Sequence, residues 1–323
     1  MLKPTGFLIV AAASLLFATL PTVAQGQTYP ARPVRLLLGF PAGGPTDVIA
    51  RVLAQRLSGY WGQPVVVENR PGADASIAME IVAKAVPDGH TLYMVQPGIA
   101  INPALYKKVP FDPIRDFAPI TLIGDVPNLV AINPAVAAAS LPEFIALAKA
   151  KKGQLFYGAT SSPTMLATEL FNTMAGIRVV RVNFKGAAPA ITALISGEVQ
   201  VLLSGIGTLL PLAKAGKVRA IAITSAKRSV LAPEIATADE NGVPGYITST
   251  WYGVAAPGAT PRRIIDRVNS DVRKALGEPE VKARLLDQGI EPTPNTPDQF
   301  AAMIRAEIAK WAKVVKDSGL TIE

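Results

Sequence analysis

Val34-Arg35-Leu36-Leu37-Leu38-Gly39 leads into Phe40-Pro41-Ala42-Gly43-Gly44-Pro45-Thr46-Asp47, which opens onto Val48-Ile49-Ala50-Arg51-Val52-Leu53-Ala54. The first segment is apolar enough to be a buried strand, and the third repeats its apolar residues at helical spacing. Between them, two glycines and a helix start make a place where backbone N–H groups converge. The first turn of a helix leaves those groups unpaired and carries partial positive charge. Two roles fit this stretch. It is either a capped strand-to-helix turn, with Thr46 or Asp47 as N-cap and the glycines supplying geometry, or a cradle for an anion.

Upstream lies a targeting pattern. Met1-Leu2-Lys3 precedes an uncharged run of 14 residues, Phe7 to Leu20, and then Pro21-Thr22-Val23-Ala24. The run is shorter than the ~20 residues a spanning helix needs, so residues 1–24 are expected to be a secretory signal cut after Ala24. The chain has no cysteine, which excludes disulfides, thiol catalysis and lipid attachment through cysteine. A free periplasmic protein without a lipid anchor is therefore expected. The roughly 300 remaining residues are enough for two domains. Net charge is +8, but the basic residues are dispersed, with no arm or aromatic-interleaved stripe. Nucleic-acid binding is not expected, and small anionic solutes are the natural partners.

From Pro33 onward strand patterns alternate with amphipathic helices, the signature of βαβ units in a mostly parallel sheet. Val65–Glu68 and Thr91–Val95 continue the first block. The chain turns loop-like around Asn102-Pro103 and Phe111-Asp112-Pro113. Two short strands follow, Ile120–Ile123 and Leu129–Ile132, separated by a turn at Gly124-Asp125-Val126-Pro127. That segment reads as a crossing into a second βα block, and Trp251–Ala256 reads as the strand that returns. The expected domains are 25–125 with 251–323, and 126–250. Thr296-Pro297-Asp298-Gln299 opens a final helix with Phe300, Ile304, Ile308, Trp311 and Val315 on one face.

Catalytic equipment is scarce. His90 is the only histidine, in a Pro-Asp-Gly-His turn where a solvated or locally hydrogen-bonded role fits best. One histidine and no cysteine leave no ordinary zinc set, and neither a nucleophile elbow, a phosphate loop nor a dinucleotide fingerprint is present. No metal or cofactor is expected. Tyr157-Gly158-Ala159-Thr160-Ser161-Ser162-Pro163 repeats the strand-to-helix turn in the second block, with three hydroxyls. Those hydroxyls either cap the helix or bind a ligand carboxylate. Phe184-Lys185-Gly186-Ala187 is a third such turn, with Lys185 either facing the cleft or solvated. Facing turns across a double crossing suggest a clamp, since small-ligand sites favour domain interfaces.

The chain resembles the Bug family of extracytoplasmic solute receptors, the TctC-like proteins of tripartite tricarboxylate transporters. The resemblance rests on Tyr29–Arg35 and Phe40–Asp47, then Gly62–Gly72, Pro87–Leu92, Ile101–Tyr106 and Asp116–Pro119. It continues through Lys185–Ala190, Thr224–Arg228, Trp251–Gly253 and Ala256-Pro257. It implies an α/β, two-domain periplasmic-binding-protein-like (type II) fold. Each domain would be a mostly parallel sheet flanked by helices, joined by two hinge strands. It also implies a monomeric receptor that closes on a small organic carboxylate and hands it to membrane transporter subunits. The implied ligand-binding residues are Phe40, Pro41, Ala42, Gly43, Gly44, Thr46 and Asp47 of the first turn, Gln96 and Gly98 after the third strand, Thr160, Ser161 and Ser162, and Lys185 and Gly186. Other roles for such a chain are a ligand sensor for a membrane kinase or, from another class, an exported carboxylate hydrolase or isomerase. Two departures from the family pattern stand out. Gly72-Ala73-Asp74-Ala75-Ser76 replaces a Gly-Ala-Gly-Gly-Asn run, placing an acid that would repel a carboxylate. Met165 occupies a helix position where histidine is usual, implying a more apolar pocket.

Overall fold

The computed structural model describes residues 29–184 and 186–319. The expected signal peptide and Lys185 lie outside the described residues. The chain begins with β1 (Val34–Leu38), α1 (Pro45–Trp61), β2 (Val65–Asn69), α2 (Ser76–Ala83), β3 (Thr91–Val95) and α3 (Gly98–Leu105). A long strand, β4 (Phe117–Ile132), then leads to α4 (Leu141–Ala150), β5 (Phe156–Ala159), α5 (Ser162–Ala175), β6 (Val180–Asn183) and α6 (Ala187–Ser196). Next come β7 (Val201–Gly205), α7 (Ile206–Lys214) and β8 (Arg219–Ile223). The chain ends with β9 (Ser249–Pro257), α8 (Arg262–Gly277), α9 (Pro279–Asp287), β10 (Glu291–Pro292) and α10 (Pro297–Ser318).

The strands order as β2-β1-β3-β9-β4-β7-β5-β6, with β8 and β10 also pairing on β4. β1 runs parallel to β2 and β3, and β5 runs parallel to β6 and β7. These two parallel groups belong to the two halves of the molecule. β4 and β9 join them as an antiparallel pair, from Phe117 opposite Pro257 to Pro127 opposite Ser249. Beyond Pro127, β4 exchanges β9 for β7 and β8.

Strand periodicity sorts side chains onto two cores, one on each face. In β1, Leu36 and Leu38 join Ile49 and Leu53 of α1, while Leu37 joins Met79 and Tyr93. In β4, Leu129 and Ala131 fall in one core and Val130 and Ile132 in the other. Strands covered on both faces read as continuous apolar runs, which is why β1 from Leu36 onward and the end of β4 show no polar alternation. α10 carries a capping box at Thr296 and Gln299 and packs on α3, α5, α8 and β4. Its Phe300, Ile304, Trp311 and Val315 are buried as the periodicity requires, while Ile308 is only partly so.

Three sequence expectations are corrected here. Ile120–Ile123 and Leu129–Ile132 are not separate strands; the intervening Gly124-Asp125-Val126-Pro127 is extended and paired throughout with β9. Gly124 serves close approach instead of a turn, because a Cβ there would sit 2.2 Å from the Glu291 carbonyl oxygen of β10. The register shift between Leu122 and Gly124 absorbs the irregularity. The stretch around Asn102-Pro103 is not loop but α3, with Pro103 inside it. In a helix this short the proline removes a single bond, and the buried Ile99, Ile101 and Leu105 hold the turn together. His90 is not solvated: its ring packs edge-on against Tyr29, with Nδ1 3.3 Å from Asp88.

Candidate functional site

α1 begins two or three residues earlier than a cap at Thr46 or Asp47 would place it. Gly44 is the N-cap, extended at φ −80°, and Pro45 takes the first helical position. Thr46 and Asp47 therefore lie in the first turn, and both are buried. Asp47 accepts hydrogen bonds from the Gly43 N–H (3.0 Å), Arg51 (2.8 and 3.0 Å) and Asn69 (3.0 Å). The Arg51 contact holds its carboxyl down at about 2 against the opposing effect of burial. Asn69, at the end of β2, also donates to the Phe40 carbonyl. This network clamps the loop to the helix, so the Asp47 carboxylate is committed to the scaffold. Thr46 accepts from Gln96, which joins the end of β3 to the start of α1. It also contacts Tyr252, whose buried phenol is pushed up to about 12 by desolvation. Pro41, Ala42 and Gly43 form the exposed part of the loop.

Opposite this loop stands the turn that departs from the family pattern. Ala73, Asp74 and Ala75 all have left-handed backbone, at φ 46°, 51° and 69°. Each such non-glycine residue costs on the order of 1–2 kcal/mol. The surroundings hold them there: fully buried Asn102 donates to the Asp74 carbonyl (2.9 Å) and to Ser76 Oγ (3.1 Å). Gly39 makes room beneath, since a Cβ on it would stand 2.2 Å from that of Ala75. The strain therefore aims the Asp74 side chain toward the other half, where its Oδ2 accepts from Ser162 Oγ.

Ser162 belongs to the second predicted turn. Ser161 is the N-cap of α5 by position, yet its side chain makes no capping bond and instead meets Thr164 Oγ1 at 3.1 Å. Thr160 Oγ1 reaches the same Thr164 hydroxyl at 3.0 Å. Gly186 caps α6 with φ 99° and is not among the residues around the cavity described next. Met165 is buried in the core, its sulfur accepting from Arg181, and it does not reach that cavity.

Between the turns lies a cavity of about 80 Å³. Phe40, Asp74, Ala75, Met79, Tyr93, Gln96 and Gly98 line it from one half, Ser161 and Pro163 from the other, and Thr250 from β9. Of the predicted residues, Phe40, Gln96, Gly98 and Ser161 line it directly, while Thr46 and Ser162 sit one hydrogen bond behind. Sequence reasoning missed Met79, Tyr93 and Thr250, whose apolar or strand-like settings carry no local signal of a site. Burial raises the Tyr93 phenol well above its ordinary range, and the Asp74 charge adds to this. An open groove of about 1080 Å³, between Tyr29, Arg32, His90 and Arg267, contains none of the predicted residues. Among the described residues, no group of three or more His, Cys, Asp or Glu could hold a metal ion.

Residues 49–320 match the family model for the tripartite tricarboxylate transporter family receptor, TctC. The chain belongs to the TctC receptor family. Protein BugT of Bordetella pertussis is 36% identical over 303 residues, covering 93% of each chain. Among solved structures, an R. palustris protein with adipate shares 38% identity at a TM-score of 0.80, covering 91% of this chain and 99% of that one. MatC from Rhodopseudomonas palustris with bound malate shares 32% identity at a TM-score of 0.76, covering 89% and 100%. This TctC-family chain thus has the two-domain α/β fold of periplasmic binding proteins, with its small cavity shared by both halves. No helix among the described residues is long and apolar enough to cross a membrane.

Proposed function

We propose that this chain is an exported receptor that captures a small organic carboxylate in the cleft and delivers it to a tripartite tricarboxylate-type membrane transporter. The observation that carries the proposal is the cavity itself, enclosed by Phe40 of the loop before α1 and the start of α3 on one half and by the start of α5 on the other. Two helix starts and the Ser161 hydroxyl offer donors to an anion, and the strand pair β4–β9 gives the halves a joint about which to close. The halves would be residues 25–125 with 251–323, and 126–250. Relatives that hold adipate and malate support the ligand class. Ligand contacts would come from Phe40, Gln96, Gly98 and Ser161 and from backbone along Pro41–Gly44, with Thr46, Asp47 and Ser162 bracing the site from behind; Thr160, Lys185 and Gly186 are proposed as further contacts.

A receptor role without catalysis is supported by the placement of the one histidine, packed under Tyr29 outside the cavity. The cavity has room for roughly three waters at the ~30 Å³ each occupies in the liquid, which favours a compact ligand. The test is a thermal-shift screen of unliganded mature protein against mono-, di- and tricarboxylates and amino acids. A ligand at about 100 times its Kd adds ~2.7 kcal/mol, which is several degrees of melting temperature. Absence of any shift across the panel overturns the proposal.

A further inference from the structure

Asp74 is the only charged residue lining the cavity among the described residues. Its place there is enforced: a strained left-handed backbone projects it, buried Asn102 pins its carbonyl, and Ser162 donates to one carboxylate oxygen from across the cleft. The nearby Tyr106 phenol is raised by burial and by the Asp74 charge, so a neutral hydroxyl stands on that side of the cleft.

A carboxylate is acceptor-only, with about four lone-pair sites. Ser162 and the Tyr106 phenol use part of this capacity, and what remains borders a cavity whose other lining residues carry no charge to balance it. A second anionic group brought to that end would meet a like charge in a confined space of low dielectric, which is costly. A ligand group that donates a hydrogen bond would complete the set instead.

We propose that Asp74 sets ligand choice in this cleft: it selects small monocarboxylates bearing a hydrogen-bond donor at the far end, ammonium or hydroxyl, and rejects dicarboxylates. This inference rests on the carboxylate-receptor reading above and narrows it. Specificity arises here as much from repulsion as from attraction.

Chain-matched ligands test it: succinate, 4-aminobutyrate and 4-hydroxybutyrate, with glutarate and its amino and hydroxy counterparts as a second set. Binding to mature protein is measured by calorimetry for wild type, Asp74→Asn and Ser162→Ala. Asparagine is nearly isosteric and tolerates left-handed backbone, so Asp74→Asn is expected to fold. Wild type is expected to bind the amino or hydroxy acid at least tenfold tighter than the matched dicarboxylate. Asp74→Asn is expected to shrink that ratio to about threefold or less. An ammonium partner loses most of its affinity in Asp74→Asn, whereas a hydroxyl partner loses less, and this separates the two donors. Ser162→Ala, which keeps the acid, retains the preference. A dicarboxylate preference in wild type, or a ratio unchanged in Asp74→Asn, overturns the proposal while leaving the receptor reading intact. Equal weakening of every ligand in Asp74→Asn assigns Asp74 a purely structural part and overturns it as well. Binding of no carboxylate at all overturns both.

Discussion

Asp47 shows how a residue that looks like a ligand contact can be spent on the scaffold. Its oxygens receive donors from Gly43, Arg51 and Asn69, and its carboxyl is held at about 2. A folded pKa below the ordinary value means the charged form favours the native state. That contribution is complete above about pH 4 and is lost as pH falls toward about 2, amounting to about 2 kcal/mol at neutrality. Asp47→Asn is expected to lower the melting temperature by several degrees at pH 7 and to flatten the acid limb of stability between pH 4 and 2. An acid limb identical to wild type removes Asp47 from this role. Neither this network nor the conformation of Ala73–Ala75 was legible in the sequence. Alanine and aspartate carry no mark of positive φ, and it takes the folded contacts of Asn102 and Gly39 to impose it.

At the scale of elements, the strand-to-helix turns were the legible part of the site. Glycine, proline and hydroxyl residues at helix starts encode local geometry directly. α3 and the continuous β4 were not legible, because Pro103, Gly124 and Pro127 are local breakers overruled by burial and strand pairing. The loop before α1 offers a clean test of the site as an element. A Cβ on Gly44 would meet only the Pro41 carbonyl, at 3.8 Å, and its φ of −80° suits any residue. Gly44→Trp is therefore expected to leave far-UV circular dichroism and unliganded melting close to wild type, while abolishing ligand-induced stabilisation. Binding that survives unchanged makes this loop scaffold only. The same substitution at Gly43, at φ 84°, would strain the backbone and confuse the result.

For the whole molecule, the alternation of strands and helices was enough to give the α/β class and the two blocks. How closely those blocks share a core was not visible. Leu37 and Tyr93 of one block, Tyr157 and Met165 of the other, and Phe300 and Trp311 of α10 all belong to a single apolar cluster. The opposite face is similarly continuous from Leu36 to Leu202. Halves that share buried surface unfold together. Calorimetry of the mature protein is expected to give one endotherm with equal calorimetric and van't Hoff enthalpies. Two separable transitions would show that the blocks are independent.

The ladder between β4 and β9 ends at Pro127 opposite Ser249, where the proline brings no N–H to the pairing, and β4 then changes partners. At Val126-Pro127 and Ser249-Thr250, beyond the residues that pair with β3 and β10, the sheet narrows to these two strands, and two-stranded ribbons twist the most. Under the proposed closure this joint is expected to act as a torsion bar, its axis nearly still while the rim of the cleft sweeps through an arc. Labels on exposed Ala42 and Ser161 sit at the rim and report that rotation, whereas labels beside the bar stay silent whether or not a ligand is present.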